Sequence, residues 1–460
     1  MLHAEKAFHF LLTSFFTLLP ALAFAAGDDG EATLPETLAG HGGPVMEIVI
    51  DPSTNRALTA SFDYSVILWS LEGESGVVER RLIGHNAAVN DVAFIPGGER
   101  AISVSDDGSA IVWDLQTGAL VKQLPDSADK VLGVAVSGDG RFAAIARWDH
   151  TARLIDLDAL AEVRRLEGHE GNVNAVAFGG ASDATLYTAS YDGTIRAWDA
   201  ATGAERSIVV DHGWGVNEIA VVGDTLVYGG LDGALARVDL DTYEENTLAK
   251  SDSPVLSLGV SADGSRLAAG FGDGRILVFD ATSWELLEEY VNPYGPVWGV
   301  AFSDAGGTSL YYSGLDDFAA FWRVQPRKPF EQVKSTFPRR FQQKADLSAG
   351  ELQFQRKCSV CHTLEADGKN RAGPTLYGLF GRKAGSLPGY PYSPGLKNSG
   401  IVWNEETIAE LFDHGPDVVT PGSKMPLQRL KDVEARDALI AFLKQATMPN
   451  RQENSGDEEQ

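Results

Sequence analysis

The sequence predicts two successive domains of opposite class, an all-β ring of seven four-stranded units and then a small all-α domain. Three observations carry this. An aspartate recurs seven times, at Asp63, Asp107, Asp149, Asp192, Asp232, Asp273 and Asp316, with steps of 44, 42, 43, 40, 41 and 43 residues. The stretch CSVCH, residues 358–362, holds both cysteines of the chain and follows the last repeat. Between the two lies a change from acidic to basic composition.

In chain order, residues 1–26 read as an export signal. The run AFHFLLTSFFTLLPALAFA is apolar and ends in the small-residue pattern Ala23-Phe24-Ala25 before an acidic GDDGE. No other stretch approaches the ~20 apolar residues that span a bilayer. A soluble periplasmic protein with no stable membrane span is therefore expected once the signal is removed. The 460 residues suffice for two or three domains. The net charge of −26 excludes a general nucleic-acid binder, which needs Lys and Arg against phosphates. With both cysteines in one motif, no disulfide framework holds the fold.

Residues 27–323 carry the repeat. Each aspartate heads a short β-branched or aromatic run, and six positions on lies a bulky residue: Trp69, Trp113, Ile155, Trp198, Val238, Phe279 and Trp322. A period near 42 with Asp-Gly turns implies one four-stranded blade per repeat, because Gly takes the positive φ of a tight hairpin without strain. Gly40-His41, Gly84-His85 and Gly168-His169 precede three of the aspartates, and Trp113-Asp114 and Trp198-Asp199 close two runs. On these motifs the region resembles the WD40 β-propeller family. The resemblance implies a seven-bladed ring closed by an N-terminal strand near 32–38, which replaces the outer strand missing from the last repeat. The three Gly-His histidines read as structural. His150 and His212 fall outside that rule, and no nucleophile–base or metal set is visible. The propeller is expected to be a platform for a protein partner.

Residues 324–345 form a basic linker, with Arg327, Lys328, Lys334, Arg339, Arg340 and Lys344 against Glu331 alone. Residues 346–447 begin and end with helical patterns, DLSAGELQFQRKC and DVEARDALIAFLKQAT. The tail 448–460 is acidic and is expected to be disordered.

CSVCH allows three chemistries. Two thiols at this spacing followed by imidazole suit thioether attachment of a haem whose iron takes the His362 nitrogen. A thioredoxin-like pair belongs on a strand–helix unit, and a zinc site needs a second ligand pair that is absent. One covalently bound haem c is therefore expected, through Cys358, Cys361 and His362. For the sixth iron ligand the candidates are Met425, Met448 and His414. Met425 is preferred, because TPGSKMPL is a loop able to turn a thioether inward.

With CSVCH, GPTLYGLFGRKAG, GYPYSPGLKNSGIVW, PGSKM and DALIAFLKQAT in this order, 346–447 is similar to mitochondrial-type class I cytochromes c. The resemblance implies that the Pro374 carbonyl orients His362. It also implies that Arg382, Tyr392 and Trp403 approach the haem propionates, and that Gly350 and Phe354 pack on the final helix near Leu439 and Phe442. Leu411 stands where many members carry a tyrosine, and Ser423 where threonine is frequent. Such a haem suits an electron carrier rather than an enzyme. Redox partners would dock at its edge, with Lys357, Lys369, Lys383 and Lys424 as candidate contacts. The alternatives are a propeller oxidoreductase fed by the cytochrome, or a haem redox or gas sensor.

Overall fold

The computed structural model describes residues 37–124, 129–292, 295–325, 347–359, 361–366, 373–390, 392, 394–420, 423, 425 and 429–448. The export signal at 1–26, nearly all of the linker and the tail beyond Met448 lie outside them. So do Lys369 and Lys424. The described residues belong to one compact unit spanning Pro35–Gln460. None of their helices is long and apolar enough to cross a membrane.

Twenty-eight strands form seven antiparallel sheets of four, one per repeat. The last blade takes three strands from its own repeat, Val297–Phe302, Ser309–Gly314 and Phe318–Arg323. Its fourth is Thr37–Ala39, which pairs antiparallel with the last of these, Leu38 opposite Ala319. Leu38 is fully buried and packs with Ile67 and Trp69 of the first blade. The two ends of the ring are thus joined by a ladder and by apolar packing.

Within a blade, the repeat motif builds a hydrogen-bonded chain. In blade 4, Trp198 Nε1 donates to Thr188 Oγ1 (2.8 Å), which lies 2.7 Å from His169 Nε2. The Thr188 hydroxyl donates to that nitrogen, and His169 Nδ1 donates to Asp192 Oδ2 at 2.9 Å. Blades 1 and 2 repeat this with Trp69–Thr59–His41–Asp63 and Trp113–Ser103–His85–Asp107. Every polar atom in the chain has a partner, so burial costs little. Burial alone would raise Asp63, but His41 and Arg81 beside it hold it well below the usual carboxylate range.

Three blades without Gly-His reach their aspartate by other means. In blade 5, His212 Nε2 meets Asp232 at 3.0 Å and Tyr228 occupies the Thr/Ser position, its hydroxyl 3.3 Å from His212 Nδ1. His212 is therefore a repeat histidine, contrary to the expectation that it falls outside the rule; the spacing to its aspartate is shorter and Asp211 replaces the glycine. In blade 6, Ser251 takes the histidine position and donates to Asp273. In blade 3, the buried Arg147 donates to Asp149 and to the Asp129 carbonyl.

The C-terminal domain contains α1 (Ala349–Lys357), α2 (Pro394–Lys397), α3 (Glu405–His414), α4 (Pro416–Val419) and α5 (Val433–Ala446). Ser348, Asn404 and Asp432 cap α1, α3 and α5 by accepting from backbone N–H groups of the first turn. α1 crosses α5 at Gly350, where a Cβ would come within 2.1 Å of the Ala438 carbonyl oxygen. Phe354 packs against Phe442 with the rings tilted and centroids 5.6 Å apart, and Leu439 is buried beside them. This crossing is the one expected from the sequence, and it brings the end of α1, and so Cys358, against the domain core.

Candidate functional site

The site begins where α1 ends. Cys358 is its C-cap, with its N–H bonded to the Phe354 carbonyl. Cys361 and His362 follow in one turn, their N–H groups 3.0 and 2.9 Å from the Cys358 carbonyl oxygen. Both cysteine side chains are buried, and no disulfide joins them. Burial, reinforced by the neighbouring Cys361, pushes the Cys358 thiol up to about 12. The turn follows a helix in a domain whose described elements are all helices, not the strand–helix unit of a dithiol redox centre.

The segment 373–376 runs back along CSVCH. Gly373 donates to the Cys361 carbonyl (2.7 Å) and Leu376 to that of Thr363 (2.8 Å). Between these contacts, His362 Nδ1 donates to the Pro374 carbonyl at 2.7 Å. That bond fixes the ring, leaving Nε2 as the acceptor nitrogen. The ring lies flat on Gly373: a Cβ there would come within 2.2 Å of His362 Cε1.

A cavity opens beside these residues; with its open mouth included, about 1140 Å³ there is free of protein atoms. Cys358, Cys361, His362, Pro374, Arg382, Tyr392, Trp403 and Met425 all line it, and so do Leu376, Leu379, Leu411 and Phe412. Arg382 is held by donation to the Thr375 (2.8 Å) and Tyr377 (3.0 Å) carbonyls. The Trp403 N–H donates to the Arg382 carbonyl at 3.0 Å, which places the two side by side. Tyr392 packs edge-on against Tyr390, centroids 4.6 Å apart. Of the three candidate sulfur and imidazole ligands, Met425 alone lines the cavity; Met448 is exposed and His414 lies at the surface beside Asp413. Ser423 Oγ meets Thr420 Oγ1 at 3.1 Å at the foot of the methionine loop. Lys357 also lines the cavity, and Lys383 is exposed.

The donor set fits a haem: two thiols on one turn, an imidazole with its far nitrogen oriented, an apolar wall, a thioether, and an anchored guanidinium for the acidic substituents. Two tyrosines are among the lining residues that the sequence did not single out. Tyr390 sits in the quoted motif without an assigned role. Tyr64 comes from blade 1 of the propeller; the signal was a tyrosine after the repeat aspartate, where four other repeats hold glycine.

Comparison with known proteins agrees with this geometry. The cytochrome c family model matches residues 347–447, and the WD domain, G-beta repeat model matches 32–70, 76–114, 118–156, 160–199 and 243–280. Cytochrome c of Gibberella zeae is 44% identical over 102 residues, covering 95% of that protein and 22% of this chain. Cytochrome c of Ginkgo biloba is 43% identical over 102 residues, 89% of its length and 22% of this chain. Cytochrome c2 of Blastochloris viridis is 43% identical over 100 residues, 77% of its length and 22% of this chain. The cavity therefore takes a covalently bound haem c with its iron, and the chain belongs to the cytochrome c family, its electron-transfer domain carried behind a seven-bladed WD40 propeller.

Proposed function

We propose that this chain is an exported, periplasmic monohaem electron carrier whose propeller docks protein partners for the haem domain. The haem supplies a one-electron ferrous–ferric couple. His362 and Met425 would hold its iron. The Pro374 carbonyl holds His362 in one tautomer, which keeps Nε2 available and raises its basicity. The Met425 thioether favours the reduced form, and Leu376, Leu379 and Phe412 exclude water, which acts in the same direction. Arg382, Tyr392 and Trp403 face the acidic substituents. The observation that carries the reading is the convergence of both thiols, the Pro374-anchored imidazole and Met425 on one cavity.

An electron carrier needs both axial positions closed. The test is the ferrous spectrum of the full chain under carbon monoxide, after haem c content has been measured as its pyridine complex. An unchanged spectrum is expected. A shifted main band would mean an open position and would favour a gas-binding role. Fractionation of expressing cells should place the haem-loaded chain in the periplasm; loaded protein confined to the cytoplasm would overturn the export reading.

A further inference from the structure

The hairpin that follows Ser61 in blade 1 departs from its sister blades at one position. After the repeat aspartate, Gly108, Gly193, Gly233 and Gly274 adopt φ values of +83°, +87°, +81° and +92°. Blade 1 has Tyr64 there, at φ +71°. An L side chain takes this conformation only at a cost, and a bulky ring rarely takes it at all. His150 is the comparable residue of blade 3, at φ +67°, and it is exposed. Tyr64 is not: its exposure is 7%.

What buries it is the haem domain. Tyr64 lines the haem cavity together with Cys361, His362 and Tyr390. Tyr64 also lies close enough to Tyr390 for the two to interact, and Tyr390 close enough to Asp63. Asp63 is also the least exposed of the repeat aspartates with described ion pairs, 4% against 36% for Asp273. The haem domain thus leaves one side of its cavity open, and a strained propeller residue supplies the wall.

We propose that the blade 1 hairpin is an internal docking surface for the cytochrome domain, with Tyr64 a positioning residue that covers the Cys361 side of the haem. The occupant of this surface is the chain's own C-terminal domain. In the docked arrangement a redox partner approaching from that side meets Tyr64 before it meets the haem, and the propeller decides which reagents reach it. This rests on the haem reading above, but the nitration readout of its first test does not depend on that reading.

The first experiment uses the full haem-loaded chain and peptide-resolved nitration by tetranitromethane. Tyr191, at the equivalent hairpin of blade 4 and 61% exposed, is the internal reference. Docking predicts that Tyr64 reacts about tenfold more slowly than Tyr191, as for a group reached only by local opening. Equal rates would overturn the proposal whatever the haem content. The second compares Tyr64→Gly and Tyr64→Phe, with haem c loading measured in each. Glycine is native to this turn in four sister blades, so the variant keeps the propeller fold. Oxidation of the ferrous chain by ferricyanide should quicken several-fold in Tyr64→Gly, with a lowered midpoint potential as water enters, and stay at the parent rate in Tyr64→Phe. Unchanged rate and potential in Tyr64→Gly would show that Tyr64 covers nothing.

Discussion

The propeller and the haem domain solve the burial problem in opposite ways. Each blade fills its interior with its own side chains and closes its polar groups in a short internal chain, Trp198 to Thr188 to His169 to Asp192 in blade 4. The haem domain packs α1 across α5 and leaves an open cavity beside that crossing. The first design spreads stability over seven similar units, so that one blade can lose a partner or substitute another. The second concentrates it on one missing group. Each Å³ of apolar cavity left unfilled costs about 24 cal/mol, against a total stability of only about 5–15 kcal/mol for a small domain.

The largest effect should therefore follow from removing the covalent anchor. Cys358→Ala combined with Cys361→Ala is expected to eliminate haem c and with it the cooperative unfolding of the C-terminal domain. Calorimetry of the full chain should lose one transition and keep that of the propeller, and helical circular dichroism should fall. A haem-free double variant that retained both transitions would break the contrast, since the helices would then hold a core without their central group.

A smaller effect is expected within one blade. Thr188→Val keeps the volume of the side chain but removes the hydroxyl that accepts from Trp198 and donates to His169. Two buried polar groups lose their partner, at a cost of about 2–3 kcal/mol. Urea unfolding of the propeller should shift by that amount, with haem c content and the visible spectrum unchanged. A change in the haem spectrum would mean that the two regions are less separate than their packing indicates. A loss below about 0.5 kcal/mol would mean that blade 4 tolerates an open chain.

What the sequence made legible follows from the same contrast. The blades were countable because the repeat aspartate and the bulky residue six positions on are local features with a fixed period. The haem turn was legible because thioether attachment demands two thiols and an imidazole within five residues, and Pro374, Arg382 and Met425 come with short motifs of their own. The substitute networks were not legible. His212, Ser251 and Arg147 reach the same aspartates from different spacings with different chemistry, and only the hydrogen bonds reveal that the role is shared. Tyr64 was hidden for another reason. Its partners, Cys361 and Tyr390, lie roughly 300 residues away in a domain of unrelated period, and no local pattern encodes a contact of that kind.

The smallest effect probes a group of propeller carboxylates whose charged forms burial disfavours. Three carboxylates on the innermost strands, Glu47, Asp91 and Glu218, line the central channel. Asp91 accepts from the Val92 (2.6 Å) and Val134 (2.7 Å) N–H groups, and Glu47 from Ile48 (2.8 Å). Burial raises Asp91 to about 7, and burial first and then Asp91 raise Glu218 well above its usual range. A carboxylate raised in the folded state holds its proton there over pH values at which the unfolded chain has released it. The folded state then binds more protons, and stability falls as pH rises from the unfolded value near 4 through the folded one. Glu218→Gln removes the charge while keeping the shape. It should raise the propeller's Tm at pH 8, equivalent to about 1 kcal/mol, and leave it unchanged at pH 4, where both side chains are neutral in the fold. Equal Tm values at pH 8 would show that water and ions in the channel screen the three charges. An effect of the same size at both pH values would trace the change to packing rather than to the proton.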